Sequence, residues 1–216
     1  MSLLVDLIGV NLVFLLCCIP VITIGPALSA LYTITLRLVR NNLAKPVNEF
    51  WLAFRQNTKR GILLELIAVG VGGLLIYNTW LTIQLVAGMK TVFYTVLLAL
   101  CLICISVYVA VLMYLFPLQA QFSNSIKGTL QTAFLMSIRY LPKTFCITAI
   151  PVFVGWLCMR NAAVFTVVAV LLFLVGFVLI AYLQSHLLVP VFNTYISQIS
   201  ETEETENVSD LPDRSI

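Results

Sequence analysis

Charged side chains are scarce in this chain, only 10% of its 216 residues against 61% hydrophobic, whereas soluble domains carry roughly a quarter. So few charges cannot clothe a water-facing surface, and an ordinary soluble domain is excluded. A mean hydropathy of +1.05 agrees. A soluble array of amphipathic helices is excluded too, because a run such as 92–116 leaves no polar face for water. Histidine is nearly absent. His186 stands without matched carboxylate or cysteine ligands in the sequence, so it reads as an interfacial hydrogen-bond donor, not a metal or acid-base centre. Cysteines in polar loops are lacking as well: Cys17, Cys18, Cys101, Cys104, Cys146 and Cys158 all fall within or at the ends of apolar segments, so a disulfide framework is not expected. Cys101-x-x-Cys104 has the spacing of a redox or zinc half-site but no second Cys/His pair, and reads as packing. The chain also lacks H-E-x-x-H, G-x-S-x-G, G-x-x-x-x-G-K-[ST] and paired carboxylates, which leaves hydrolysis and nucleotide binding without a motif. No catalytic residue, cofactor-binding residue or metal ligand is assigned, and no cofactor is expected. The net charge of +3 is small, and nucleic acid is not implied as a partner.

What the chain does have is apolar runs long enough to cross a hydrocarbon layer of about 30 Å. The expected fold is all-α: a polytopic transmembrane helix bundle with about five spans, at 3–24, 61–86, 91–116, 144–159 and 162–189. The first would be about 33 Å long as a helix. It reads as a retained span and not a signal peptide, since it lacks a basic leading region and carries Asp6. The fourth would be about 24 Å long, contains Pro151, and either begins at Leu141 or takes a kinked, partly re-entrant course. Amphipathic interfacial helices are expected at 26–41, 48–60 and 124–141. For 26–41 a re-entrant course stays open. The acidic stretch 200–216 cannot bury enough apolar surface to fold alone and is expected to be a disordered tail.

Basic residues set the expected orientation. Arg37, Arg40, Lys45, Arg55, Lys59 and Arg60 follow the first span, and Lys127, Arg139 and Lys143 follow the third, while the opposite loops hold Lys90 and Arg160. With positive charge inside, the N-terminus lies outside the cell and the C-terminus in the cytoplasm of a bacterial plasma membrane. Pro20, Pro117 and Pro190 each close an odd-numbered span, a weak internal recurrence. The break at Pro20, Gly25 and Pro26 reads as a hinge: Gly25 permits a left-handed exit, Pro26 opens the next helix, and Thr23 hydrogen-bonds the freed carbonyls. Within the spans polar groups are few. Glu65 reads as a boundary residue, and Asn78, Gln84, Gln119, Gln121 and Gln184 as interhelical hydrogen-bonding groups. Ala68, Gly70, Gly72 and Gly73 form a small-residue surface for a closely packed helix.

The string from Asn11 through Cys17-Cys18-Ile19-Pro20 to Gly25-Pro26-Ala27, then Ala30-Leu31-Tyr32 and Phe50-x-x-x-Phe54-x-x-Asn57-x-Lys59, resembles the YesL-like family of bacterial integral membrane proteins. The chain departs from that pattern in having Thr58 where an aromatic is common and a shorter stretch before the first span. The resemblance implies a multi-span membrane protein often encoded beside carbohydrate ABC importers and their sensor systems, with no functional residues to carry over. The expected function is a non-enzymatic accessory subunit of such an importer or sensor. The alternative is a small solute carrier or channel acting as an oligomer, with Glu65, Asn78, Gln84 and Gln184 lining a path. Expected partners are the lipid bilayer, importer permease or sensor kinase subunits, and further copies of the chain.

Overall fold

A computed structural model of the chain describes residues 3–40, 45–88, 92–122, 125–159 and 161–209. They form α1 (Leu3–Cys17), a 3₁₀ turn (Val21–Thr23), α2 (Ile24–Val39), α3 (Pro46–Gly88), α4 (Val92–Gln121), α5 (Ile126–Arg139), α6 (Leu141–Cys158), α7 (Ala162–Leu171), a π turn (Leu172–Gly176) and α8 (Phe177–Ser209). The described residues contain no strand, as expected where hydrocarbon leaves backbone groups only one another as partners. Among the described residues five helices are long and apolar enough to cross a membrane: Val21–Val39, Pro46–Ala87, Val92–Gln121, Leu141–Cys158 and Ala163–Ser197.

The first of these is not the expected 3–24. α1 stops at Cys17 after 15 residues, about 22 Å at 1.5 Å per residue and short of a full crossing. Pro20 supplies no N–H to continue it, and Thr23 Oγ1 donates to the carbonyls of Cys17 at 2.6 Å and Pro20 at 2.7 Å, closing the break. The helix that follows is the second correction. Instead of lying at the interface, α2 is the buried centre of the bundle, with Ala27, Ala30 and Ile34 fully enclosed between α3, α4 and α8. Its small residues admit that approach. Gly25 lies within α2, so it is there for space, not for a left-handed exit.

The expected interfacial helix 48–60 and span 61–86 are one helix, α3, of 43 residues. No proline or turn cluster separates them, and Gly61 at their join leaves room for Pro26 of α2, which would lie 2.8 Å from an added Cβ. α4 likewise runs through Pro117 to Gln121. α5 falls where the third interfacial helix is expected, and α6 begins at Leu141. α8 continues to Ser209, so the stretch 200–209 is helical where a disordered tail is expected. Extending an existing helix avoids the nucleation cost, and its glutamates are good helix formers. Lys90, Arg160 and residues 210–216 lie outside the described residues.

α1 and α2 flank the same half of α3. Near one end, an added Cβ on Gly9 of α1 would lie 3.2 Å from Val47, and Arg37 of α2 bonds Glu49. At the other, Gly25 meets Gly61 and Glu65. The two helices therefore form a hairpin whose tip, Ile19 to Ile22, exposes apolar side chains.

Candidate functional site

Residues 25, 29, 32 and 35 of α2 follow the i, i+4, i+7, i+10 spacing of one helical stripe. Each engages another helix. The Gly25 N–H donates to Glu65 Oε2 on α3 at 2.9 Å. Ser29 donates to Gln119 Oε1 on α4 at 2.9 Å. The Tyr32 hydroxyl donates to Gln184 on α8, and Ser185 donates to Thr35 Oγ1 at 2.8 Å. Gln184 Nε2 then donates to the Ile147 carbonyl of α6 at 3.2 Å. All of these side chains are buried, where hydrogen bonds between helices are the main directional glue. Glu65 meets the first turn of α2, where the helix dipole favours a carboxyl group.

A second polar element lies on α1. Asn11 is fully buried. Its Nδ2 donates to the carbonyls of Leu172 at 3.1 Å and Phe173 at 2.7 Å, and its Oδ1 accepts from the Val178 N–H at 3.2 Å. These groups belong to the π turn and the residues that follow it, where the regular i→i+4 ladder is interrupted. One amide thus bridges to an irregular turn in another helix, and beside it Phe14 meets Phe177 at a tilt, with centroids 5.5 Å apart. The sequence reading misses this role, though the signal was present: a lone amide in an apolar run is costly unless another helix satisfies it.

Beside this ladder, α2, α3, α4 and the first turn of α5 enclose a polar cavity of about 250 Å³. Arg37, Glu49, Asn57, Arg60, Gln119 and Gln121 are among its lining residues. Arg37 Nη1 pairs with Glu49 Oε2 at 2.9 Å, an exposed ion pair of small energetic worth. Gln119 is shared between the ladder and this cavity.

The residues proposed to line a transport path are not brought together. Glu65 accepts from the Gly25 N–H, and Gln184 is held between α2 and α6. Asn78 is exposed and donates to its own helix at Leu74, and Gln84 is exposed near the far end of α3. His186 is exposed, its ring edge-on to Tyr182 at 4.8 Å. Of the small residues in α3, Gly72 faces Tyr108 of α4, whose hydroxyl donates to the Ala68 carbonyl at 2.6 Å. Gly70 and Gly73 have open space before them. Among the described residues no three metal-ligating side chains cluster.

No curated protein and no solved structure matches the chain. Residues 7–79 match a family model described as "Protein of unknown function, DUF624", a segment that contains Asn11, the α2 stripe and Glu65 and brings no activity with it.

Proposed function

We propose that the chain is a non-enzymatic membrane subunit, accessory to a carbohydrate ABC importer or its sensor system. The observation that carries the structural part of this reading is where the polar groups point. Glu65, Gln119 and Gln184 are turned onto α2 and hold the bundle together, while the lateral faces of α3, α4 and α6 carry exposed apolar side chains such as Leu74, Ile103 and Phe153. Such faces suit lipid and the helices of a membrane partner. The importer or sensor as that partner rests on the sequence resemblance. Affinity purification from the native host should recover a permease or sensor component, and deletion should lower sugar uptake. Recovery of neither component with unchanged uptake overturns the assignment. So does solute flux through liposomes holding the chain alone, which would favour a carrier.

In the same reading the α1–α2 hairpin keeps both its ends on the side of Lys45 and brings only its tip to the level of Gly61, where the apolar length of α3 begins. The N-terminus then shares the side of Lys45, in place of the outside location expected when 3–24 counts as a span. The crossings are α3, α4, α6 and the joined α7–α8, which return the C-terminus to that side. The positive-inside rule assigns that side to the cytoplasm.

A further inference from the structure

We propose that the chain holds one acidic phospholipid, its phosphate in the polar cavity near Arg37 and Arg60 and an acyl chain in a groove between α3 and α4. The groove measures about 360 Å³ and is lined almost wholly by apolar side chains, among them Leu75, Ile103, Val107 and Leu112, with Leu130 and Phe134 of α5 along one wall. Its size falls in the range of ligand sites.

The two cavities are continuous in their walls. Leu64 of α3 lines both, and on α5 Thr129 lines the polar cavity while Leu130, the next residue, lines the groove. A molecule polar at one end and apolar along the rest fits that join. Along α3 the groove runs from Leu64 to Leu75, about 16 Å at 1.5 Å per residue. That is close to one leaflet, half of a hydrocarbon core about 30 Å thick. Arg60 stands one turn before Leu64, on the headgroup side of the groove.

Charge selects the headgroup. Among the described lining residues two guanidiniums, Arg37 and Arg60, outnumber one carboxylate, Glu49. Arginine suits phosphate because its planar donors can engage two oxygens together, and Asn57, Gln56 and Gln121 add hydrogen-bonding groups around them. A partner helix would fill the groove but offer nothing to its cationic end, so the lipid accounts for both cavities where the helix accounts for one.

The test uses the full chain purified in mild detergent, titrated with phosphatidylglycerol or phosphatidylcholine, with bound lipid read by native mass spectrometry and stability by thermal shift. Phosphatidylglycerol should bind and raise the melting temperature, and phosphatidylcholine and inorganic phosphate should do neither. Arg60→Gln should weaken phosphatidylglycerol binding about fivefold, as expected for one arginine at an anionic headgroup. Val107→Trp, which fills the groove without touching the cationic end, should weaken it as well. Both variants should keep wild-type helicity and elute as single species. Equal binding of the two lipids overturns the proposal, as does wild-type affinity in both variants. Dominant cross-linking between copies through a cysteine at position 107 also overturns it, because a second copy would then occupy the groove. None of these readouts depends on an importer or sensor, so the lipid site and the accessory role stand or fall separately.

Discussion

Gly25→Ala places a single methyl group at the tightest contact between α2 and α3. In an exposed helix this change would stabilise by about 1 kcal/mol, the propensity difference between the two residues. Here the new Cβ would sit 2.7 Å from the Gly61 carbonyl oxygen, 2.9 Å from Glu65 Cβ and 3.1 Å from Phe116. The nearest obstacle is backbone, so the helices must separate. Overpacking of this kind costs about 1–3 kcal/mol. Separation also stretches the 2.9 Å bond from the Gly25 N–H to Glu65, worth about 1–2 kcal/mol. The sign therefore reverses, to a net loss of about 2 kcal/mol once the propensity gain is subtracted. Gly25→Val should lose more, and Leu28→Val, at a half-buried position, should lose no more than about 1.5 kcal/mol. Reversible unfolding in detergent micelles, followed by helicity, measures all three. A Gly25→Ala variant as stable as the wild type, or Gly25→Val and Leu28→Val with equal losses, would refute the close crossing and with it the central position of α2.

Asn11→Ala leaves the Leu172 and Phe173 carbonyls without their donor and should lower unfolding stability by about 2–4 kcal/mol in the same assay; a loss under about 0.5 kcal/mol would show that the π turn needs no repair. Glu65→Gln keeps an acceptor for the Gly25 N–H and should cost less than Glu65→Ala, which leaves that donor buried and unpaired at about 1–3 kcal/mol; the reverse order would remove Glu65 from the cap. In a background without native cysteines, single cysteines at Val5 and Lys45 should show equal protection from an impermeant thiol reagent in intact cells, and both should react once the membrane is opened. Reaction at Val5 alone in intact cells would restore α1 as a full crossing.

The helical class and the membrane setting were legible in composition and run length, because the bilayer imposes both whatever the tertiary packing. Boundaries inside the runs were not. Residues 3–24 form one apolar run, and hydropathy alone passes over Pro20, although the missing donor there ends α1. The amphipathic pattern of 26–41 was visible, but a polar face toward headgroups and one toward buried amides look alike until the partners are known. Those partners, Gln119, Gln184 and Ser185, come from far along the chain. Reading Gln119 and Gln184 as interhelical groups named the right chemistry; that both converge on one helix is a tertiary fact. Gly25 shows the limit most clearly, since close approach and left-handed backbone both ask for glycine.

The placement of the polar groups divides the bundle into unequal halves. Lipid is as apolar as leucine, so exposed side chains on α3 and α4 gain little from meeting one another, and helices in a bilayer are held by close packing and interhelical hydrogen bonds. Those contacts crowd around α2, at Gly25, Ser29, Tyr32 and Thr35. Toward their joined ends α3 and α4 keep the Gly72–Tyr108 contact with its bond to Ala68, and a long approach of 3.9 Å between Thr82 and Cys101. One half is therefore fixed by many directional bonds and the other by few. The lipid groove lies along the boundary, its cationic end against the fixed half and its apolar length against the looser one. A lipid seated there would fill space between helices where the protein supplies few bonds of its own, so its stabilising effect should fall mainly on α3 and α4 and little on α2.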